Sequence, residues 1–451
     1  MAYGDSADLR LAITNRQIIK TALPISLAML VPQLNFITNN VFLGQLGETE
    51  LATAGLTGVY YLIFASIGYG LNNGLQALLS RRAGENKRIE IGRLFTQGLW
   101  IALTIAILGI VLTYTLAPYI LSHAIASKEL LDKSVHFLKI RIWGLPFLFV
   151  YQMRNALLVG INQSRLLVAG TLAETIANIF FDYGLIYGHF GLPELGFNGA
   201  AIASIIAEAT GMFVVFLVIH FKGISREFQL FANQRPDPKN LKLILVQSSP
   251  LIFQHAISII SWQFFFILIE HHGKMDLAIS NTMRNIFGFF GVFTWAFAAT
   301  TNTMVSNVIG QGKKELVVTL MGKIVKISLL FGLIFALLLN IFPVAFLSIY
   351  GQDQVFIAEA IPVLRIVSLA LVMMPFATVW LNGVTGTGNS IVSLLIEAIA
   401  IVVYCIYIYL VLEVYFLPVY IGWMSEWIYW MLLFVSSFFY IRSGRWKNKV
   451  I

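Results

Sequence analysis

The chain is built from long apolar runs separated by short polar segments. The runs are about 20 residues or longer, which is the length that a helix needs to cross a bilayer. They are rich in Leu, Ile, Phe and Ala and do not alternate with polar residues, as barrel strands would. The predicted spans are 18–44, 52–79, 94–119, 136–159, 166–189, 197–222, 243–269, 277–305, 321–348, 361–384, 391–416 and 420–441. The pattern predicts an all-α membrane protein with twelve transmembrane helices.

Composition and charge agree with this architecture. The 451 residues are 58% hydrophobic and 12% charged, whereas soluble domains carry roughly 25% charged residues. Most of the 30 Lys and Arg residues fall in every second loop, with the net charge at +8. The opposite loops clearly hold only Lys128, Lys133 and Lys274. Because basic residues stay on the cytoplasmic side, we expect both termini in the cytoplasm of a cell (inner) membrane protein, and no nucleic-acid partner.

A weak internal repeat recurs at a spacing of 226 residues. The matched pairs are Pro24 with Pro250, Gly47 with Gly273, Ser80 with Ser306 and Gly160 with Gly386. Six spans per repeat give two halves of the same orientation, related by a pseudo-twofold axis along the membrane normal. The predicted domains are a six-helix N-terminal lobe at 1–222, a cytoplasmic linker at 223–242 and a six-helix C-terminal lobe at 243–451.

Three polar residues share one face of the fifth predicted span. Glu174, Asn178 and Asp182 are spaced four residues apart, so a helix aligns them. A carboxylate at membrane depth costs several kcal/mol unless it is paired, and such residues usually carry function. Asp182 is therefore the first candidate for a coupling residue, Asn178 its partner and Glu174 a second choice that could instead pair with Arg165.

The motifs of the chain resemble those of a known transporter family. They are Ala22-Leu-Pro-Ile with Gly44-Gln-Leu-Gly47, Gly160-Ile-Asn162-Gln-Ser-Arg165, Asn178 with Asp182-Tyr, and Gly386-Thr-Gly-Asn-Ser390. Over nearly its whole length the chain resembles the multidrug and toxic compound extrusion (MATE) family. The resemblance implies a secondary active antiporter that exports amphipathic, often cationic, drugs or metabolites by rocking alternating access. It implies no cofactor beyond the coupling ion, H⁺ or Na⁺.

The resemblance also implies a cation site, with one departure from the family pattern. In one prokaryotic branch a first-helix Asp joins a fifth-helix Asp and Asn, which match Asp182 and Asn178. The first-helix position here is Asn39, an amide. Other branches use acids at positions that correspond to Ser258 and about Met374, so that second arrangement is absent. One carboxylate with two amides can bind Na⁺ through oxygen or carry a proton, and both remain open.

Further polar and aromatic residues lie in the predicted spans. Arg284 and Glu397 lack charged repeat partners, and we predict an ion pair or a shared polar pocket between them, with Glu174 as a further member of this second polar site. Its role could be structural, substrate-binding or coupling. Aromatic rings can stack on a flat cation. The candidates for the substrate cleft are Tyr183, Trp262, Phe287 and Trp295.

Other functions fit the sequence less well. A flippase for a lipid-linked saccharide or cell-wall precursor, in the same superfamily, would want a strongly basic cleft, and the membrane spans hold few arginines. The chain has no Gly-x-Ser-x-Gly, no His-Glu-x-x-His and no phosphate-cradling loop, so no enzyme activity is predicted. The pair His271 and His272 is too small for a metal site, and no metal is expected. We expect a monomer that acts on a small molecule in the lipid bilayer.

Overall fold

The computed structural model describes residues 8–125, 127–232, 235–350 and 353–449, apart from the side chains at 32–37, 40, 41, 48, 51 and 52. These ranges form helices and connecting turns without a strand, and twelve long helical segments run through them. They are α1 (Asn15–Gly44), α2 (Glu48–Gly84), α3 (Arg88–Ala124), α4 (Lys128–Gly160), α5 (Leu167–Tyr187), α6 (Phe197–Phe221), α7 (Pro238–Glu270), α8 (Lys274–Gly310), α9 (Val317–Ile341), α10 (Gln354–Gly386), α11 (Ser390–Val414) and α12 (Val419–Arg442). The predicted all-α, twelve-helix class is confirmed.

Ten of the described helices are long and apolar enough to cross a membrane on length and composition. The other two are α1, whose side chains are only partly described, and α8. The C-terminal half of α8 is polar, yet its Thr300, Asn302 and Asn307 are completely buried. A helix that faces protein instead of lipid can carry polar side chains, because neighbouring groups satisfy them. The lower hydropathy of α8 therefore reflects its place inside the bundle.

The chain divides into two compact units, Leu27–Ser248 and the combination of Met1–Ser26 with Ser249–Ile451. The division falls inside α1 and α7 and not at 223–242. In the first unit α5 packs most extensively on α6, and in the second α10 packs against α8, α9 and α12. The segment predicted as a linker is packed against α3, where Phe228 is almost fully buried and its carbonyl occupies the space beside Gly92.

An amide clamp explains why the N-terminal segment groups with the second unit. The side chain of Asn307 on α8 donates from Nδ2 to the Leu9 carbonyl at 3.1 Å. Its Oδ1 accepts from the Leu11 backbone N–H at 2.9 Å. Gln311, one turn further along, donates to the Leu11 carbonyl at 3.0 Å. The extended residues before α1 are thus tied to α8 through the side chains of that helix.

A second clamp holds the equivalent segment before α7. Gln97 on α3 donates from Nε2 to the Arg235 carbonyl at 2.9 Å, and its Oε1 accepts from the Asp237 N–H at 2.9 Å. Positions 235 and 237 lie 226 residues after positions 9 and 11. The clamping amides come from different helices, α3 and α8, so the two halves reach the same backbone arrangement with different side chains.

Removing the first clamp is expected to loosen the N-terminal segment. Asn307→Ala leaves the Leu9 carbonyl and the Leu11 N–H buried without a partner, at a cost of about 1–3 kcal/mol. Limited trypsin cleavage in detergent at Arg10 should therefore become faster than in the wild type. Asn281→Ala on the same helix is the control, because the described hydrogen bond of Asn281 goes to the Leu277 carbonyl of its own helix. Equal cleavage rates in both variants and the wild type would contradict the clamp.

Candidate functional site

Asp182 lies on α5 with its side chain completely buried. Neither carboxylate oxygen forms a hydrogen bond with any described residue. Asn178, one helical turn earlier, is also buried, and the described hydrogen bonds include none from its side chain. Both side chains therefore keep oxygen atoms available on one helix face, which is what a bound cation or proton needs.

The packing of α5 fixes the depth of Asp182. Gly199 on α6 lies against the α5 backbone, where a Cβ would stand 2.5 Å from the Leu185 carbonyl oxygen. Further along α6, a Cβ on Gly211 would stand 3.1 Å from Oε2 of Glu174. Two glycines thus allow α5 and α6 to approach closely on both sides of the Asn178 and Asp182 positions.

Asn39 lies on α1, which contacts α5 near the ends of both helices. The Tyr187 hydroxyl of α5 donates to the Phe42 carbonyl at 2.7 Å, and the rings of Phe42 and Tyr183 are 6.2 Å apart. Asn39 is one turn before Phe42, and its Oδ1 is buried without a hydrogen bond to a described residue. The fold brings α1 and α5 together, although no described hydrogen bond joins Asn39 to Asp182.

A buried triad that the sequence interpretation missed lies in the same unit. Arg141 on α4 forms a two-pronged ion pair with Glu208 on α6, with Nη1 to Oε2 at 3.0 Å and Nη2 to Oε1 at 2.5 Å. The Tyr61 hydroxyl of α2 donates to Oε1 of Glu208 at 3.1 Å. The Arg141 guanidinium also lies 3.8 Å from the Tyr61 ring centroid. Gly144 permits this packing, since a Cβ there would collide with Glu208 and Arg141.

The triad leaves two acids of this unit without a counter-ion. Arg141 is committed to Glu208, whereas Asp182 and Glu174 take part in none of the described ion pairs. The alternative pairing of Glu174 with Arg165 is therefore wrong. A count of charges inside the spans would have found Glu208, which lies mid-way along 197–222. Arg141 also lies inside the predicted span 136–159, and the same count would have found it.

The predicted ion pair between Arg284 and Glu397 is wrong. Glu397 on α11 accepts three hydrogen bonds from neutral groups, which satisfy its carboxylate. The donors are Gln254 at 2.7 Å, Ser258 at 2.5 Å and the Tyr429 hydroxyl at 2.7 Å. The Arg284 guanidinium instead lies 4.8 Å from the Phe266 ring centroid. Glu174 belongs to the other compact unit, so no shared pocket of the three is described.

The sequence profile of the MatE family matches residues 24–184 and again residues 250–410. The two matches begin and end 226 residues apart, which confirms the internal repeat, and together they cover well over half of the chain. The chain belongs to the MatE family. The resemblance to the multidrug and toxic compound extrusion proteins is thereby confirmed.

Curated and solved relatives of this MatE protein agree on the fold. It is 31% identical over 193 residues to the "Probable multidrug resistance protein NorM" of Synechocystis sp. (strain ATCC 27184 / PCC 6803 / Kazusa), a match spanning 43% of this chain and 42% of that one. A MOP superfamily transporter from Pyrococcus furiosus superimposes with a TM-score of 0.88 at 17% identity over 99% of this chain and 100% of that chain. A MATE structure in complex with MaL6 gives a TM-score of 0.89 at 18% identity, over 97% and 98% of the two chains.

The aromatic candidates of the MatE protein have different surroundings. Tyr183 is half-exposed and stacks on His189 with 4.3 Å between ring centroids. Trp262 donates its indole N–H to Oε1 of Glu426 at 3.2 Å and lies 6.4 Å from Phe287 between centroids. Phe287 and Trp295 both belong to the packed core of the second unit. Within the described ranges, no group of three or more His, Cys, Asp or Glu side chains could hold a metal ion.

Proposed function

We propose that the protein is a secondary active exporter of amphipathic, cationic drugs or metabolites, driven by H⁺ or Na⁺ that binds at Asp182. The observation that carries the proposal is the complete burial of Asp182 with both carboxylate oxygens unbonded. A buried carboxylate without a partner is costly, and binding a proton or a cation removes that cost. Asn178 and Asn39 supply the amide oxygens beside it.

The duplicated architecture supports alternating access as the mechanism. Two copies of one family unit, each with six helices, give two lobes that can rock about a central site. When the lobes rock, Asp182 becomes accessible first from one side of the membrane and then from the other. The exchange of ion and drug at different phases of this cycle couples their opposite movements. We further propose that a monomer carries out this cycle.

The orientation follows from charge. The concentration of basic residues in the loops that share a side with the two termini supports the proposal that both termini lie in the cytoplasm of a cell membrane protein. The ion then enters the cell while the drug leaves it. In this orientation Asp182, five residues before the end of α5, is nearer to the outer face.

Transport by purified protein in liposomes tests the proposal. The lumen is loaded with a fluorescent cationic dye, and a pH gradient or a Na⁺ gradient is imposed separately. We expect one gradient to accelerate dye movement, and the ionophore that collapses that gradient to abolish the acceleration. A rate of dye movement that neither gradient changes would refute ion-driven export. The gradient that works identifies the coupling ion.

A flippase activity is tested in the same liposomes with a fluorescent lipid-linked saccharide. Three of the described membrane arginines are already engaged, Arg141 with Glu208, Arg154 with the Met212 carbonyl and Arg284 with the Phe266 ring, whereas Arg365 is exposed on α10. Few positive charges are therefore left for a pyrophosphate group. We expect no scrambling above that of protein-free liposomes, and rapid scrambling with no dye transport would favour the flippase.

A further inference from the structure

The second unit contains two buried carboxyls, Glu397 on α11 and Glu426 on α12, with relative exposures of 6% and 3%. Both acids contact α7. Ser258 of that helix bonds Glu397, and Trp262, one turn further along, bonds Glu426. Glu397 receives three hydrogen bonds from neutral donors. Glu426 receives one, from the Trp262 indole. The two acids therefore have unequal surroundings.

Neither acid forms an ion pair with any described residue. The charged and titratable groups on the helices packed around them include His255 on α7, Arg284 on α8, Tyr404 on α11 and Tyr429 on α12, with Glu359 and Arg365 exposed on α10. Of the two arginines in this set, Arg284 lies over the Phe266 ring and Arg365 is exposed. Ionising both buried acids without a counter-ion would cost the hydration of two charges, which favours a proton on one of them.

The hydrogen bonds identify which acid holds the proton. Both oxygens of Glu397 already accept hydrogen bonds, as a carboxylate requires, whereas Glu426 has a single bond. The Tyr404 hydroxyl and the Trp430 indole N–H interact with the Glu426 carboxyl but fall short of hydrogen-bond geometry. Both side chains are more than nine-tenths buried, and neither polar group completes a hydrogen bond. Two unused donors thus point at the acid with the fewest bonds.

We propose that Glu426 is a proton-binding site in the second unit, separate from Asp182, with ionised Glu397 beside it. When the Glu426 carboxyl releases its proton, the anion takes up hydrogen bonds from Tyr404 and Trp430 in addition to Trp262. The unused donors are therefore a preformed receptor for the deprotonated state. Binding and release involve one proton and no other reactant. Its use in driving export rests on the proposed function.

The chemistry of the surrounding groups selects a proton over a metal cation. Na⁺ needs several oxygen atoms that turn lone pairs toward it. The donors beside Glu426 are the indole N–H groups of Trp262 and Trp430, which have no lone pair to offer, and the Tyr404 hydroxyl. The rings of Tyr429 and Trp430 also meet edge to face with centroids 4.8 Å apart, so packed aromatic groups occupy the space beside the acids.

Infrared difference spectroscopy of the purified protein tests the site directly. We expect the wild type to show the C=O stretch of a buried carboxylic acid, lost in Glu426→Gln and retained in Glu359→Gln, the exposed control on α10. Trp262→Phe, which removes one donor and no acid, should keep the band and shift it to higher frequency. A band that survives Glu426→Gln, or that added Na⁺ removes at constant pH, would overturn the proposal.

Transport separates the failure of this proposal from that of the proposed function. In liposomes, Glu426→Gln should lose gradient-driven dye efflux but retain dye exchange at equal concentrations, which shows that the variant is folded and binds dye. If the wild type moves no dye yet shows the Glu426 band, export fails and the proton site stands. If the wild type transports and Glu426→Gln transports equally well, Glu426 has no part in coupling.

Discussion

Asp182→Asn is expected to abolish gradient-driven export while leaving the fold intact. Asparagine has nearly the same shape as aspartate, but it takes up no proton at physiological pH and carries no charge to hold Na⁺. The side chain is completely buried and makes no described hydrogen bond, so the substitution breaks none of the described hydrogen bonds. Initial rates of dye efflux from liposomes under the effective gradient should fall at least about tenfold, equivalent to about 1.4 kcal/mol in the coupled step.

Two further variants make this result specific. Asp132→Asn makes the same chemical change on the exposed part of α4 and should transport at the wild-type rate. Asn39→Asp introduces the first-helix acid that the resemblance implies elsewhere in the family, and in the Asp182→Asn background it should restore part of the ion dependence if α1 and α5 form one site. Full activity of Asp182→Asn under a gradient would refute the coupling role of Asp182.

The fold could be predicted from the sequence because the bilayer restricts which secondary structures can cross it. A run of about 20 apolar residues in lipid must be a helix, since its backbone groups have no other partners. The repeat was accessible because Pro24 and Pro250, with other pairs, keep one spacing through four helices. The division of the chain inside α1 and α7 could not be predicted from the sequence, because it depends on the clamping amides Asn307 and Gln97. Nothing in one sequence shows that these amides bind backbone far away.

The candidate site was only partly accessible for a related reason. A helical period places Asn178 and Asp182 on one face, and their burial follows from membrane depth. Which buried acid finds a partner depends on which helices meet. The sequence predicts a pair of Arg284 and Glu397 because a buried charge usually needs an opposite charge. In the structure, neutral donors bond Glu397 instead, and the Arg284 guanidinium lies over the Phe266 ring. The real pair, Arg141 with Glu208, joins α4 to α6.

Arg141→Met is expected to destabilise the protein strongly. It removes the only described ion-pair partner of Glu208, whose side chain is 8% exposed, and leaves a buried carboxylate bonded by the Tyr61 hydroxyl alone. Breaking a buried pair in this way costs roughly 3–5 kcal/mol. Scanning fluorimetry in detergent should show a clear fall in the melting temperature. Arg365→Met is the control, because Arg365 is exposed on α10 and its replacement should leave the melting temperature close to that of the wild type.

The double variant Arg141→Met with Glu208→Met separates the pair from packing. Apolar residues of similar volume can replace a buried ion pair at little net cost, so the double variant should recover most of the stability that Arg141→Met loses. A double variant as unstable as the single one would show that packing of Arg141 on the Tyr61 ring, and not the charge pair, dominates. A transport measurement on the same double variant tests whether the pair also affects ion coupling. If the pair serves only to keep Glu208 from competing with Asp182 for the coupling ion, the stable double variant should transport under the same gradient as the wild type.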